Sequence, residues 1–336
     1  MQTRPIGTTG ISLSEIGFGC GGNAGLMLRG EAKDQERIIA RALDLGVNYF
    51  DNAPDYGDGL AEINLGVVLK SLGVRPYLNS KVEIRQRDFG DIAGHVVRSC
   101  EASLKRLGVD YLHVFQIHNG PSAGDPAIEG EVYTQLHIDQ FLGSNGALEG
   151  IERLKRDGKI RLAGFICRGD DGAEVRQVLE TGVFHIINVP YTLLNPTAGM
   201  EKPDGFDWGK DFGDAISHAH DHGAGAAVYA PLAGGFLTDD AIAGRDRHPL
   251  ARASDPASSG ARRNAARATK FRFLAEARGC SLAQAAYRFV LDHPGVTTAL
   301  AGITAMDQLE EIVEAAGLAK LTDNEAALLQ DIWQGV

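Results

Sequence analysis

Cysteine is scarce in this chain of 336 residues, and the four present, Cys20, Cys100, Cys167 and Cys280, form no CxxC pair and no zinc-like spacing. That scatter argues against a disulfide framework and a cysteine metal site, and it fits a reducing, cytoplasmic compartment. Positive charge is also short: 33 Lys and Arg against 44 Asp and Glu leave a formal charge of −11. Nucleic-acid and anionic-membrane binders reward a basic surface, so neither partner is expected. No apolar run approaches the roughly 20 residues that a membrane span requires. The opening MQTRPIG has no apolar core after its basic residue, so no secretory signal is read there. The remaining composition, 44% hydrophobic and 23% charged, is that of an ordinary globular protein.

Apolar, β-rich runs alternate with amphipathic helical stretches. SEIGFG, VNYFD, YLNSKV, YLHVFQIH, IRLAGFIC, FHIINVP, AGAAVYA and TTALAG read as eight strands. Each is followed by a helical stretch, such as KDQERIIARALDLG after the first and DIAGHVVRSCEASLKRLG after the third, both closing on glycine. Strict alternation without a break in composition predicts one closed (β/α)8 barrel over residues 1–336. TRPIGTTGISLS reads as a hairpin outside the repeat. Segments 119–146, 190–210 and 234–270 are long for connections, and long loops in a compact domain are usually functional or mobile.

Barrel enzymes build their sites at the C-terminal ends of the strands. Asp51 ends the second strand, Lys81 the third and His118 the fourth. Neighbouring strands lie about 4.8 Å apart, so these three side chains should converge. Tyr56 follows in the loop FDNAPDYGDG, above the same rim. A carbonyl reduced by hydride needs a proton at its oxygen, and a tyrosine serves poorly unless its ionised form is stabilised. An ammonium beside the phenol lowers its pKa, and a carboxylate beside the lysine keeps that lysine charged and aimed. A histidine can hold the carbonyl oxygen or relay a proton. Taken alone, Asp51 suits a turn, Lys81 a snorkelling side chain and His118 a satisfied polar group. Asp55, a second carboxylate beside Tyr56, should oppose phenol ionisation unless it points away. His218, His220 and His222 alternate too closely to share a helix face, so no metal site is expected there.

The sequence resembles the aldo-keto reductase family along nearly its whole length. The matching segments are IGTTGISLSEIGFG, GVNYFDNAPDYGDGLAEINLG, SKV, EASLKRLGVDYLHVFQIH, DGKIRLAGF and YAPLAGGFLT. The resemblance implies a barrel that binds a nicotinamide cofactor without a Rossmann fold, with Asp51, Tyr56, Lys81 and His118 as its catalytic set. It implies further that Gly19, Cys20 and Gly21 sit beside the nicotinamide and that Asn188, where the family usually has glutamine, touches the carboxamide. Tyr229 would stack on the ring, Ala230, Pro231, Leu232 and Gly234 would line the pyrophosphate path, and Gly302, Ile303, Thr304, Gln308 and Glu311 would face the adenosine. Cys167 and Arg168 stand where many members have Ser-Asn, and relatives such as the potassium-channel β subunits carry the arginine. Ile312 follows Glu311 where Glu-Asn is usual, which removes one adenine contact.

NADP-preferring relatives grip the 2′-phosphate with Lys or Arg, and GITAMDQLEE has neither, which opens NAD. The stretch from Arg245 to Arg272 carries eight basic residues (Arg245, Arg247, Arg252, Arg262, Arg263, Arg267, Lys270 and Arg272) and could supply the cation, or be a solvated loop. NADP and NAD both stand, with the family's habit on the side of NADP. The expected partner is a small carbonyl or sugar substrate, walled by NAGLMLRG and by segment 119–146. Trp208 could line that pocket or anchor a loop. The rival readings are a non-catalytic, cofactor-sensing subunit, which His118 opposes, and a Schiff-base aldolase using Lys81, which needs no Tyr229 platform.

Overall fold

The computed structural model describes residues 1–124, 135–245, 248–252 and 258–335. Arg247, one of the basic residues of the 245–272 stretch, lies outside them, as does 125–134 of the long segment 119–146. The described strands are β1 (Thr3–Pro5), β2 (Ser12–Ser14), β3 (Ile16–Gly19), β4 (Tyr49–Asp51), β5 (Tyr77–Val82), β6 (Leu112–Ile117), β7 (Gly120–Ser122), β8 (Gln135–His137), β9 (Ile160–Ile166), β10 (Phe184–Pro190), β11 (Gly225–Tyr229) and β12 (Val296–Gly302). Eight of them close a parallel barrel in the order β3-β4-β5-β6-β9-β10-β11-β12, with β12 paired back to β3 and β10 to β9. These are the eight runs read from the sequence.

Helices wrap the barrel because their apolar residues recur at helical spacing. In Ala32–Asp44 the buried set is Gln35, Ile38, Ile39 and Ala42, one face of two turns. The helix Ile92–Leu107 starts where the Asp91 side chain accepts the Gly94 N–H and ends on Gly108 at φ 69, the left-handed stop that glycine adopts readily.

The expected hairpin is β1–β2, paired antiparallel from Thr3↔Ser14 to Pro5↔Ser12. It plugs the N-terminal end of the barrel. Ile6 and Leu13, both fully buried, pack on the inward side chains Tyr49, Val114, Leu162, Ile186, Ala227 and Leu300. Burying each such aliphatic side chain stabilises by about 1.5–3 kcal/mol.

Two long segments contain more order than their length suggested. After β6, the strands β7 and β8 pair in parallel, and a helix Ile138–Leu142 follows. Within 234–270, helices form at Asp239–Ile242 and Ser259–Thr269. The second is capped by the Ser258 side chain, which accepts the Ala261 N–H at 3.2 Å, and its alanines and arginines are strong helix formers. A C-terminal helix, Asp323–Gln334, buries Trp333 and opens with a Thr322–Glu325 capping box.

Candidate active site

β4, β5 and β6 are neighbours in the barrel, and their C-terminal ends bring the predicted groups together. The Lys81 ammonium donates to Asp51 Oδ2 at 2.8 Å and to the Asn52 carbonyl at 2.8 Å, and it lies 3.5 Å from the Tyr56 hydroxyl. Lys81 and Asp51 are buried, at 1% and 4% relative exposure. His118 meets Tyr56 edge-on, with ring centroids 6.1 Å apart. The four residues therefore form one cluster.

Beneath them lies a polar layer that the sequence reading did not foresee. Asp51 Oδ1 accepts from the amides of Asn79 and Asn188, the latter at 3.4 Å. Asn188 Oδ1 in turn accepts from Gln116 Nε2 at 2.9 Å. Asn188 is thus tied to Asp51 and Gln116 inside the barrel, a placement that the expected carboxamide role did not anticipate. Hydrogen bonds of this kind fix the orientation of a carboxylate.

The electrostatics differ from expectation in one respect. Burial first, then Asp51 and Asp55, push the Tyr56 phenol well above its ordinary pKa, with Arg168 pulling the other way. The ammonium of Lys81 was expected to lower it. That ammonium is instead spent on Asp51, which it touches more closely than the phenol. Tyr56 is accordingly a protonated phenol, poised to give a hydrogen. Asp55 thus opposes ionisation of the phenol, as expected of a second carboxylate there, and its Oδ1 lies 3.1 Å from His118 Nδ1. Burial lowers His118 to about 4, against the raising effect of Asp55, so its ring is neutral at neutral pH.

The residues expected near a cofactor line the same face. Gly19 ends β3, and the Cys20 N–H donates to the Asp51 carbonyl at 2.9 Å. A Cβ on Gly21 would sit 3.5 Å from Tyr56 Cζ, so this backbone borders the phenol. Cys167 is buried at the end of β9, its carbonyl accepting the Tyr229 hydroxyl at 3.5 Å. The Arg168 guanidinium donates to the His118 carbonyl, and its own N–H donates to Asp171 Oδ2 at 2.8 Å. Burial lifts Asp171 to about 6 although the amides of Arg168 and Gly169 hold its carboxylate. Tyr229 ends β11, half-buried, and the turn after it holds Ala230 and Ala233 at φ 52 and 50. Left-handed backbone costs a non-glycine residue about 1–2 kcal/mol, and such strain concentrates where a ligand is gripped. Pro231 is buried and Leu232 partly so, while a Cβ on exposed Gly234 would meet nothing within 4 Å.

On the far side, Gly302 is exposed at the end of β12 and Ile303 is buried. Gln308 Oε1 accepts from the Thr304 N–H and hydroxyl, at 3.0 and 2.5 Å. The Glu311 carbonyl accepts from Gln284. Glu310 pairs with Arg41 at 2.8 Å, which compensates the like charge it would bring to a phosphate. The NAGLMLRG wall is tied across the face: Arg29 donates to the carbonyls of Gly22 and Leu250, and the Arg252 N–H to Asn23 O at 2.7 Å. Trp208 stacks beneath Arg267, 4.7 Å from its ring, and next to Phe206 and Phe271, which anchors the basic helix rather than a pocket. Open glycine backbone, a half-exposed aromatic platform and a strained turn on one face fit a flat, phosphate-bearing cofactor.

Comparison with known proteins accords with this geometry. The NADH-specific methylglyoxal reductase of Escherichia coli (strain K12) is 26% identical, over 99% of this chain and 98% of the relative. The L-galactose dehydrogenase of Arabidopsis thaliana is 24% identical, over 94% and 88%. A probable voltage-gated potassium channel subunit beta from the same plant is 26% identical, over 96% and 93%. Among solved structures, aldo-keto reductase AKR11C1 from Bacillus halodurans in its holo form superposes with a TM-score of 0.71 at 25% identity, over 99% of this chain and 96% of that one. The profile described as the aldo/keto reductase family matches residues 15–334, and the chain belongs to that family.

Proposed function

We propose that this protein is an oxidoreductase that interconverts a carbonyl and an alcohol on a small molecule, with Tyr56, Lys81, Asp51 and His118 as its working groups and NADP or NAD as cofactor. The observation that carries this reading is the Tyr56 hydroxyl, held protonated beside the buried Lys81–Asp51 pair. A bound nicotinamide would exchange hydride with the substrate carbon. Tyr56 gives its hydrogen to the carbonyl oxygen, which needs a proton as it gains charge. Lys81, fixed by Asp51 and by the Asn52 carbonyl, supplies positive charge 3.5 Å from the phenol oxygen as that proton leaves. His118 bounds the site from β6.

The same pairing argues against a Schiff-base role for Lys81, because an ammonium committed to a carboxylate at 2.8 Å has no lone pair for attack. Gly19, Cys20, Gly21, Asn188 and Tyr229 would surround the nicotinamide, and Gly302, Thr304 and Gln308 the adenosine. With Glu310 compensated by Arg41 and no basic residue in GITAMDQLEE, both cofactors remain in play, and the family's habit favours NADP. Relatives named as a methylglyoxal reductase and an L-galactose dehydrogenase support small, oxygen-rich substrates.

Tyr56→Phe tests the assignment. Fluorescence titration with NADH and NADPH should give unchanged affinities, while turnover against a panel of aldehydes and sugars falls by about 100-fold or more, the scale of a lost acid–base group. Near-normal turnover would sink the assignment.

A further inference from the structure

Folded proteins ordinarily scatter their exposed hydrophobic side chains singly over the surface. Here they are concentrated. Six large hydrophobic side chains are exposed among the described residues, and four of them belong to one stretch. Leu60, Ile63 and Val67 stand on the helix Leu60–Leu72, and Val74 follows just past its Gly73 stop. Val67 is the most open of them, at 64%. The other side of the helix packs on the barrel, with Ala61, Leu65, Val68 and Leu69 buried. The helix is thus apolar on both faces, a pattern that fits an element covered on both.

Leu60, Ile63, Val67 and Lys70 recur at steps of three and four, the heptad spacing of a seam between two helices. The flanking positions Asn64, Gly66 and Ser71 carry no charge, so the borders of the seam do not repel a second helix. Charge stands only at the two ends. Lys70 lies on the last turn and Asp58 just ahead of the first. Both are exposed, and neither has an ion-pair partner among the described residues. Turned end for end, such a strip complements itself. We propose that this face joins two copies of the chain into a homodimer, through an antiparallel pair of the helices Leu60–Leu72. Ile63 then packs on Val67 of the partner subunit, and Leu60 lies under the stem of Lys70 of the partner subunit. That lysine's ammonium reaches Asp58 beside Leu60. The two-fold axis repeats each contact, as an isologous interface requires. A net charge of −11 opposes association at long range, but the strip is nearly neutral and physiological salt confines the repulsion to about 8 Å. One lysine and one aspartate give an anionic membrane no net attraction, which leaves a second copy as the occupant that the charges fit. Asp58 belongs to FDNAPDYGDG, so the subunit contact borders the loop that carries Tyr56. The inference stands independently of the reaction assigned to that tyrosine.

Sedimentation at concentrations from about 1 to 100 µM tests it, the range suited to an interface of one helix a side. At the upper end the wild type should sediment as a dimer, at twice the 35.8 kDa of one chain. Val67→Arg sets an unpaired charge in the middle of the seam on both copies and should raise the dissociation constant at least about 100-fold. Lys70→Glu replaces both ion pairs with like charges and should raise it about 10-fold, while Lys70→Glu/Asp58→Lys should return it to within about 3-fold of the wild type. Circular dichroism checks that each variant is folded, which the exposure of all three positions favours. A wild type that stays monomeric at the highest concentration overturns the proposal, and that result needs no variant. A dimer indifferent to Val67→Arg overturns it too, because such a dimer is built on another face. Weakening by Lys70→Glu without rescue in the double variant overturns the antiparallel pair.

Discussion

Replacing Lys81 with methionine removes one charge from the barrel interior while keeping most of the side chain's volume. The pair it breaks is secluded, with Lys81 and Asp51 side chains 1% and 5% exposed. At an effective dielectric constant of about 20, unit charges 2.8 Å apart attract by about 6 kcal/mol. Taking both ions out of water offsets much of that gain, so the pair's net contribution is small. Removing one partner is another matter, because Asp51 then stays buried with only the amides of Asn79 and Asn188 to replace the ammonium. The expected cost of Lys81→Met is about 3–5 kcal/mol.

The double variant Asp51→Leu/Lys81→Met separates this account from simple loss of packing. It leaves no uncompensated charge, so its cost should fall short of the summed single costs by about 2–3 kcal/mol. Urea unfolding of the four proteins, followed by far-ultraviolet circular dichroism and by the fluorescence of Trp208 and Trp333, measures the cycle. A coupling below about 0.5 kcal/mol would refute the reasoning, since it would mean that solvent screens the pair.

Two further outcomes follow from the geometry. Burial depresses folded His118 from 6.5 to about 4, so below pH 6.5 the unfolded chain takes up a proton that the folded chain refuses. The associated stability is full above that pH, is lost as pH falls through 4, and amounts to about 3 kcal/mol; His118→Gln should flatten urea midpoints over this window, and an unchanged slope contradicts the burial. Gly7 adopts φ +45 and its Cβ would lie 1.7 Å from the Gly223 carbonyl oxygen, so Gly7→Ala should displace the β1–β2 plug and lower Tm by at least about 2–4 °C, the scale of a 1 kcal/mol left-handed penalty; an unaltered Tm would show that the plug moves freely.

The barrel was legible because its determinants are local and repeated. Each strand announces itself by a β-rich apolar run, each helix by apolar residues on one face, and a parallel strand needs the crossover between them. The mutual placement of Asp51, Lys81 and His118 followed from the same logic, since consecutive barrel strands must end side by side. The long segments were harder, because length alone says nothing about caps: the Ser258 cap and the alanine–arginine run that make Ser259–Thr269 a helix are visible in the sequence, but charge density pointed toward a solvated loop.

The polar layer beneath the tetrad was legible in principle and was missed. Side chains two apart on a strand share a face, so Tyr49 lies under Asp51, Asn79 under Lys81 and Gln116 under His118. Three inward-facing pairs on three adjacent strands, each polar at both levels, mark a hydrogen-bonded support for Asp51, and Asn188 completes it from β10. The contact between Asp55 and His118 has no such signature. It depends on how the turn Asn52–Asp55 carries a carboxylate sideways from β4 to the end of β6, across the intervening β5. Turn conformation sets that displacement, and no periodicity encodes it.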